Sequence, residues 1–336
     1  MERYARQSVF TPIGKEGQAK LLRSKVTIIG MGALGTVAAN NLCRAGVGCL
    51  RIIDRDYVEL TNLQRQTLYN EEDAHQNLPK VIAASKHLSM INSEIDLEPI
   101  IADVNASNIE DFICGSDLVI DANDNMEIRF IINEACHKHK IPWIYCGALG
   151  AHGVTMNILP GINQPCLRCF IGESGDLSHD SCSTVGVLNM LTGMMASIQS
   201  AEAIKILISS DSIRSKLLTI NLWENRFNTL ELGKDDNCPV CVHKNYELLG
   251  GARGSNTTSL CGSDSIQIIP PKVVKADFEI LAKKLEKIGN VRFSEHILAF
   301  SDSKYEIKLF QDGRAIIKNA IDANNAKSVY TEYIGL

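Results

Sequence analysis

The stretch Lys25-Val-Thr-Ile-Ile-Gly30-Met-Gly32-Ala-Leu-Gly35 decides the fold of this 336-residue chain. Its β-branched start is typical of a buried parallel strand, and after the glycines apolar residues recur at helical spacing as far as Ala45. A second apolar run ends in Asp54, about 20 residues further on, the offset at which an acid that binds ribose follows a G-x-G-x-x-G turn. Gly30, Gly32 and Gly35 let the backbone approach a phosphate, and the helix N-terminus supplies free N–H donors. The stretch predicts strand, turn and helix around a nucleotide; the alternative is a Gly-rich turn that needs only close packing.

Composition and charge exclude several other classes of protein. The net charge of −5 does not suggest a nucleic-acid partner. The first residues, Met-Glu-Arg-Tyr-Ala-Arg-Gln, contain no apolar signal region, so we expect a cytoplasmic protein without a secretory signal. The longest apolar segment, 185–208, is interrupted by Asn189, Gln199, Glu202 and Lys205. We therefore predict a buried helix there and no membrane span.

Beyond Asp54, strands and helices alternate in a way that predicts a Rossmann-like, doubly wound, mostly parallel sheet. Helices are expected over 14–23, 80–91 and 127–138, and strands over 95–101, 117–121 and 142–148. A polar stretch without periodicity, 55–66, follows the second strand, and Ala122-Asn-Asp124-Asn125 follows the strand that ends in Asp121. Both lie where the carboxyl ends of parallel strands open onto a ligand.

Eleven cysteines are present, and four of them form the pairs Cys166-Leu-Arg-Cys169 and Cys238-Pro-Val-Cys241. In a cytosolic chain two C-x-x-C turns predict a tetrahedral zinc site, structural because the protein fills all four positions. The alternatives are two unrelated surface turns, which would leave four exposed thiols, or a redox motif. Other cysteines lie in apolar runs and are expected in the core: Cys43, Cys49, Cys114, Cys136 and Cys146.

A stretch rich in Gly, Ser and Thr near 250–259 predicts a linker. We therefore divide the chain into a main domain over 1–248, a linker over 249–262 and a small α+β domain over 263–336. In the last domain we expect strands over 265–269, 291–300 and 305–319, with a hairpin turn at Asp312-Gly313, and helices over 275–288 and 323–333.

Taken together, the motifs resemble one family. They are Arg3-Tyr-Ala-Arg6-Gln7, the Gly30–Gly35 turn, Thr61-Asn62-Leu-Gln-Arg65-Gln66, Pro79-Lys80-Val, Asp121-Ala-Asn-Asp124-Asn125 and the two C-x-x-C pairs. They are similar to those of the ThiF/MoeB/HesA family of ubiquitin-activating-like adenylyltransferases, over about residues 1–248. The chain length and the C-terminal segment look more like the members of thiamin thiazole biosynthesis than like MoeB.

The resemblance implies a reaction in which the C-terminal Gly carboxylate of a ubiquitin-fold sulfur-carrier protein, such as ThiS, attacks the α-phosphate of ATP. The products would be an acyl-adenylate and pyrophosphate. Alignment of two anions and neutralisation of phosphate charge are the main catalytic demands. The implied cofactors are ATP, Mg²⁺ and Zn²⁺. The nucleotide would be bound by Gly30, Gly32, Gly35, Asp54, Asn62, Gln66 and Asn125, with Arg65 and Lys80 on the phosphates and Asp124 on Mg²⁺.

The same resemblance implies a homodimer in which Arg6 of one subunit reaches the neighbouring site. Cys182, in a polar loop, would be a candidate for sulfur transfer or an inert thiol, and Cys261 is ambiguous. Arg65 and Lys80 could instead be solvated surface charges, and Asp124 a helix N-cap. MoeB-type adenylation of MoaD is the alternative function, and an NAD-dependent oxidoreductase the remote one, although it leaves both cations unexplained.

Overall fold

The computed structural model describes residues 2–172, 185–250, 257–259, 265–268, 270 and 276–335, with only the backbone of 257–259. The chain divides into two compact units, Met1–Ala252 and Arg253–Leu336. The division falls within the stretch that the sequence predicts as a linker.

The first unit is built on an eight-stranded sheet with the order β3-β2-β1-β4-β5-β6-β7-β8. The five strands from β3 to β5 in that order pair in parallel, and the remaining strands pair antiparallel. The order reverses between β1 and β4, which is where open α/β sheets bind ligands. The strands are β1 (Lys25–Ile29), β2 (Cys49–Asp54), β3 (Asp96–Ile101), β4 (Leu118–Asp121), β5 (Trp143–Leu149), β6 (His152–Ile158), β7 (Leu217–Asn221) and β8 (Arg226–Leu230).

Helices cover both faces of this sheet because alternate strand residues point to opposite sides. Ile28 and Ile120 pack on the side of α3, α5 and α9, whereas Ile29 and Val119 pack on the side of α6 and α7. The helices of this unit are α1 (Ala5–Val9), α2 (Gly14–Leu21), α3 (Ala33–Ala45), α4 (Glu71–His75), α5 (Lys80–Ile91), α6 (Ile109–Ile113), α7 (Met126–His139), α8 (Leu167–Ile171) and α9 (Asn189–Ile208). The predicted doubly wound, mostly parallel sheet is therefore confirmed.

The second unit contains a six-stranded antiparallel sheet with the order β11-β12-β13-β14-β10-β9. Its strands are β9 (Thr257–Ser259), β10 (Ser265–Ile268), β11 (Asn290–Phe293), β12 (Ile297–Ser301), β13 (Glu306–Phe310) and β14 (Ala315–Lys318), and its helices α10 (Phe278–Leu285) and α11 (Ala323–Tyr333). Leu298, Ile307 and Ile317 pack with Leu281 and Val329 of the helices in one core.

One part of the secondary-structure prediction for the second unit is wrong. The single strand expected over 291–300 is a hairpin of β11 and β12, because Ser294 to His296 form a turn in which the His296 N–H donates to the Ser294 hydroxyl. The hairpin expected over 305–319 is confirmed: β13 and β14 pair antiparallel, and the turn between them contains Gly313, whose φ of +83° suits glycine. The antiparallel strands β6 to β8 were not anticipated from the sequence.

In the described part of the chain, no helix is both long and apolar enough to cross a bilayer. The apolar segment that ends at Ile208 forms α9, which packs against α3 and β5.

Candidate nucleotide site and four-cysteine site

The three glycines of the turn between β1 and α3 do not all serve the same structural purpose. Gly30 has φ +97°, and a Cβ there would lie 2.7 Å from the Ala122 carbonyl oxygen. A Cβ on Gly35 would overlap the Gly30 carbonyl oxygen. Close backbone packing therefore explains glycine at both positions. At Gly32, however, the nearest atom to a Cβ would be the Gln66 amide nitrogen at 3.9 Å, so the protein itself leaves open space beside the helix N-terminus.

Asp54, at the end of β2, holds this turn in place. Its carboxylate accepts hydrogen bonds from the Met31 N–H at 2.6 Å and from the Asp56 N–H at 2.7 Å. Tyr69 donates to the Met31 carbonyl from the other side, at 2.8 Å. Burial raises the pKa of Asp54, while the cation of Lys80 opposes that shift. Asp54 as a whole is 9% exposed.

Lys80 is the first residue of α5, directly after Pro79 at the N-cap position. Its side chain is only 8% exposed, and the ammonium lies 3.0 Å from the Asp56 carboxylate. Burial favours the neutral amine, but the carboxylates of Asp56 and Asp54 outweigh it and raise the pKa of Lys80, with a further contribution from Asp124. The interpretation of Lys80 as a solvated surface charge is therefore wrong, and the sheet edge carries a buried, permanently charged cation.

The stretch after Asp54 folds into a 3₁₀ turn, Leu60–Asn62. Asn62 is buried and its side-chain oxygen accepts from the Glu59 N–H at 3.2 Å. Arg65 is half-buried and donates to the Thr61 carbonyl at 3.0 Å. Gln66 is 3% exposed, and its buried Oε1 has no hydrogen-bond partner among the described residues. An unpartnered buried amide oxygen beside the open face of the glycine turn is a group that a ligand could satisfy.

The loop after β4 brings Asp124 to the same edge of the sheet. Asp124 is exposed, and its charge acts on Lys80. The N-cap of α7 is Asn125, whose side chain accepts from the Glu127 N–H at 2.8 Å, so the interpretation of Asp124 as that cap is wrong.

Arg129 holds this loop and was not singled out in the sequence. It is 7% exposed, and its guanidinium lies 2.9 Å from the Asp121 carboxylate, which is fully buried. It also donates to the Asn123 and Cys146 carbonyls. Burial raises the pKa of Asp121, and Arg129 opposes that shift. An arginine inside an otherwise apolar helix face, eight residues after Asp121, was the signal that could have identified it.

Arg6 lies away from this edge. It is exposed on α1, and the neighbouring Gln7 donates to the Ala45 carbonyl at the C-terminal end of α3. Because a helix rises about 1.5 Å per residue, the 13 residues of α3 separate that point from the glycine turn by about 20 Å. An arginine side chain cannot span this distance within one subunit.

The four cysteines of the two C-x-x-C turns, here called the knuckles, lie close together in space. Their sulfurs all lie within 4.8 Å of one another, with Cys166 and Cys238 at 3.6 Å and Cys169 and Cys241 at 3.5 Å. Zinc–sulfur bonds of about 2.3 Å in a tetrahedron require sulfurs about 3.8 Å apart, so the cluster fits a zinc ion. Among the other cysteines, Cys43, Cys136 and Cys146 are buried as predicted, but Cys114 is exposed and Cys49 is half-buried. Cys182 and Cys261 lie outside the described residues.

These features define the class: a doubly wound α/β domain with a polar edge at its topological switch point and a four-cysteine site. The chain belongs to the ThiF family, whose model matches residues 4–240. This confirms the resemblance and the enzyme class inferred from the sequence.

Individual relatives differ in how much of the chain they share. A sulfur carrier protein ThiS adenylyltransferase of Bacillus subtilis is 38% identical over 336 residues, covering 99% of each chain. A molybdopterin-synthase adenylyltransferase of Escherichia coli is 34% identical over 242 residues, covering 72% of this chain and 96% of the relative. A crystal structure of E. coli MccB, 24% identical, has a TM-score of 0.62 and covers 71% of this chain and 74% of that chain, a likeness of fold alone.

Proposed function

We propose that this protein transfers AMP from ATP to the C-terminal carboxylate of a ThiS-like, ubiquitin-fold sulfur-carrier protein, releasing pyrophosphate. The main support is the buried cation of Lys80, 3.0 Å from Asp56, beside a glycine turn whose Gly32 face is open. A fixed positive charge next to free helix N–H donors is what binding of a polyphosphate demands. The match to the B. subtilis enzyme over 99% of both chains favours a ThiS-like carrier over a MoaD-like one.

Different residues around the turn would contact different parts of the nucleotide. The open backbone at Gly32 would contact the phosphates, Gly30 and Gly35 would keep the turn closely packed beside them, and the buried oxygen of Gln66 would accept from the nucleotide. Asp54 would hold the ribose, Asn62 and Asn125 would line the nucleotide, and Arg65 with Lys80 would offset charge on the leaving pyrophosphate. Asp124 would hold Mg²⁺, because an exposed carboxylate is a hard oxygen ligand for that ion. The bound metal would neutralise phosphate charge during the transfer.

The four cysteines would hold a structural Zn²⁺. All four positions of the tetrahedron would be filled by Cys166, Cys169, Cys238 and Cys241, which leaves none for a substrate.

The active form would be a homodimer that shares its sites. Arg6 adjoins Gln7, which is anchored at the C-terminal end of α3, about 20 Å from the glycine turn of its own subunit, so Arg6 would serve the neighbouring subunit. Mixing Arg6→Ala chains with Asp124→Ala chains should restore activity that neither variant has alone, since one site of each hybrid dimer would be intact. Hybrid dimers that form but stay inactive would contradict the shared site.

The deciding experiment is ATP–pyrophosphate exchange with purified ThiS-like and MoaD-like carriers, each ending in Gly-Gly. We expect exchange that depends on the ThiS-like carrier and is lost in Arg65→Ala. Preference for the MoaD-like carrier would identify the molybdopterin-type reaction instead. A nicotinamide-cofactor titration in parallel tests the oxidoreductase alternative, which predicts binding of that cofactor and no exchange.

A further inference from the structure

Asn133 lies beside the four-cysteine site and belongs to none of the motifs. It is on α7, one helical turn after Arg129, and it is fully buried. Its side-chain oxygen accepts a hydrogen bond from the Leu167 N–H at 3.2 Å. Its amide nitrogen lies 3.7 Å from the sulfur of Cys166, within reach of an N–H···S hydrogen bond.

The amide can satisfy both partners in only one orientation. The backbone N–H of Leu167 needs an acceptor, so the oxygen of Asn133 must face it, and the NH₂ group then faces the sulfur. Leu167 is the first residue of α8, and Cys166, its N-cap residue, supplies no side-chain cap. Asn133 therefore fixes both the position of this knuckle and the direction from which a donor approaches its sulfur.

A hydrogen-bond donor beside the Cys166 sulfur would stabilise negative charge on that sulfur. Four thiolates carry two more negative charges than a Zn²⁺ ion neutralises, and Cys166 is fully buried, where water cannot solvate the excess. Hydrogen bonds from neighbouring groups to metal ligands orient them and stabilise their charge.

We infer that Asn133 is a positioning residue of the metal site, orienting the Cys166 thiolate and stabilising its charge through the N–H···S bond. The inference rests on the four cysteines holding a metal ion, and it is independent of the adenylation reaction.

The test is Asn133→Asp, which keeps the shape and the oxygen acceptor for Leu167 but places an oxygen where the donor stood. The zinc Kd of the folded protein, measured by competition with a chromogenic chelator, should weaken about 10–100-fold. In the cobalt-substituted protein the thiolate-to-metal charge-transfer band should move to lower energy, because the sulfur loses a donor. Asn133→Ala, which removes the donor without adding a charge, should change both readouts in the same directions and serves if the Asp variant does not fold.

The matched control is Asn157→Asp. Asn157 is also buried, but it donates to Glu202 and the Arg214 carbonyl, so its replacement perturbs the fold without touching the cysteines. The inference fails if both Asn133 variants bind zinc within about twofold of the wild type. It also fails if Asn157→Asp weakens zinc binding as much, or if the wild-type protein takes up no metal.

Discussion

The polar edge of the main sheet and the four-cysteine site are both attached to α7, but by different chemistry. Arg129 reaches the polar loop with a full charge, which compensates the buried carboxylate of Asp121 at 2.9 Å. One turn later, Asn133 reaches the cysteine site with a neutral amide. At the polar edge a buried ion pair holds a loop whose Asp124 is exposed to solvent. At the closed cysteine site the polar group is instead an uncharged amide that can donate to a metal ligand.

Substitutions in the two regions should affect different properties of the protein. At the polar edge, groups that would meet the nucleotide are mixed with groups that hold the loop. At the cysteine site, no position is free for a substrate, so damage there should affect the fold first. The following variants test this separation.

The largest effect is expected from Cys238→Ser. The protein should lose about one zinc ion per chain, and its unfolding free energy should fall by about 4–5 kcal/mol or more, because binding of a structural metal contributes directly to folding. Metal analysis and denaturant unfolding measure the two changes. Cys114→Ser, at an exposed cysteine outside the site, is the control and should change neither. A full complement of zinc in Cys238→Ser would disprove the assignment.

Lys80→Ala should act mainly on chemistry. Exchange of pyrophosphate with ATP should fall ~10³-fold or more, at least about 4 kcal/mol of barrier, because a fixed cation beside the leaving group is lost. Some loss of stability is also expected, since Asp56 keeps its charge without its 3.0 Å partner. The control is Lys86→Ala on the exposed face of the same helix, which should exchange normally. Near-normal exchange in Lys80→Ala would remove this residue from the site.

Arg129→Met tests the boundary between the two kinds of effect. It leaves Asp121 fully buried without its cation, and we expect a loss of about 3 kcal/mol, near the lower end for a broken buried pair because Asp121 can bind a proton. Urea unfolding measures this loss. The double variant Arg129→Met with Asp121→Asn should regain part of the stability. If the double variant is no more stable than the single one, the buried charge is not the cause.

The smallest effect concerns Glu134, which follows Asn133 on α7. Its carboxylate accepts from the N–H groups of Leu248 and Leu249, at 3.0 and 3.1 Å. Burial raises its pKa above the ordinary 4.5, although these two hydrogen bonds oppose the shift. The folded state therefore binds this proton more tightly than the unfolded chain, so the favourable contribution is complete below pH 4.5 and is lost as the pH rises through the folded-state pKa.

Glu134→Gln should consequently gain stability relative to the wild type as the pH rises from about 4 to 7. Unfolding free energies at several pH values measure this difference. Glu231→Gln, at a side chain 85% exposed, should show no such trend. A constant difference between Glu134→Gln and the wild type across this range would contradict the raised pKa.

The sequence by itself determined the local features. The periodicity of apolar residues and the spacing of the glycines located β1, the turn and α3, because backbone conformation there depends on residues nearby in the sequence. The range 80–91 was predicted for α5 and 323–333 for the last helix, and the structure has those bounds. The C-x-x-C spacing also indicated the metal site, since two thiols separated by one turn can bind the same ion.

Only the tertiary structure decided which distant groups meet and which charges are buried. The two knuckles are 68 residues apart in sequence, and their sulfurs come within 3.6 Å only because the sheet and α7 bring them together. Lys80 resembles any lysine at the start of a helix until Asp56 and Asp54 lie against it. Arg129 and Asn133 belong to no sequence motif. A buried polar side chain can be identified only from its hydrogen-bond partners, and those of Arg129 and Asn133 come from other parts of the chain.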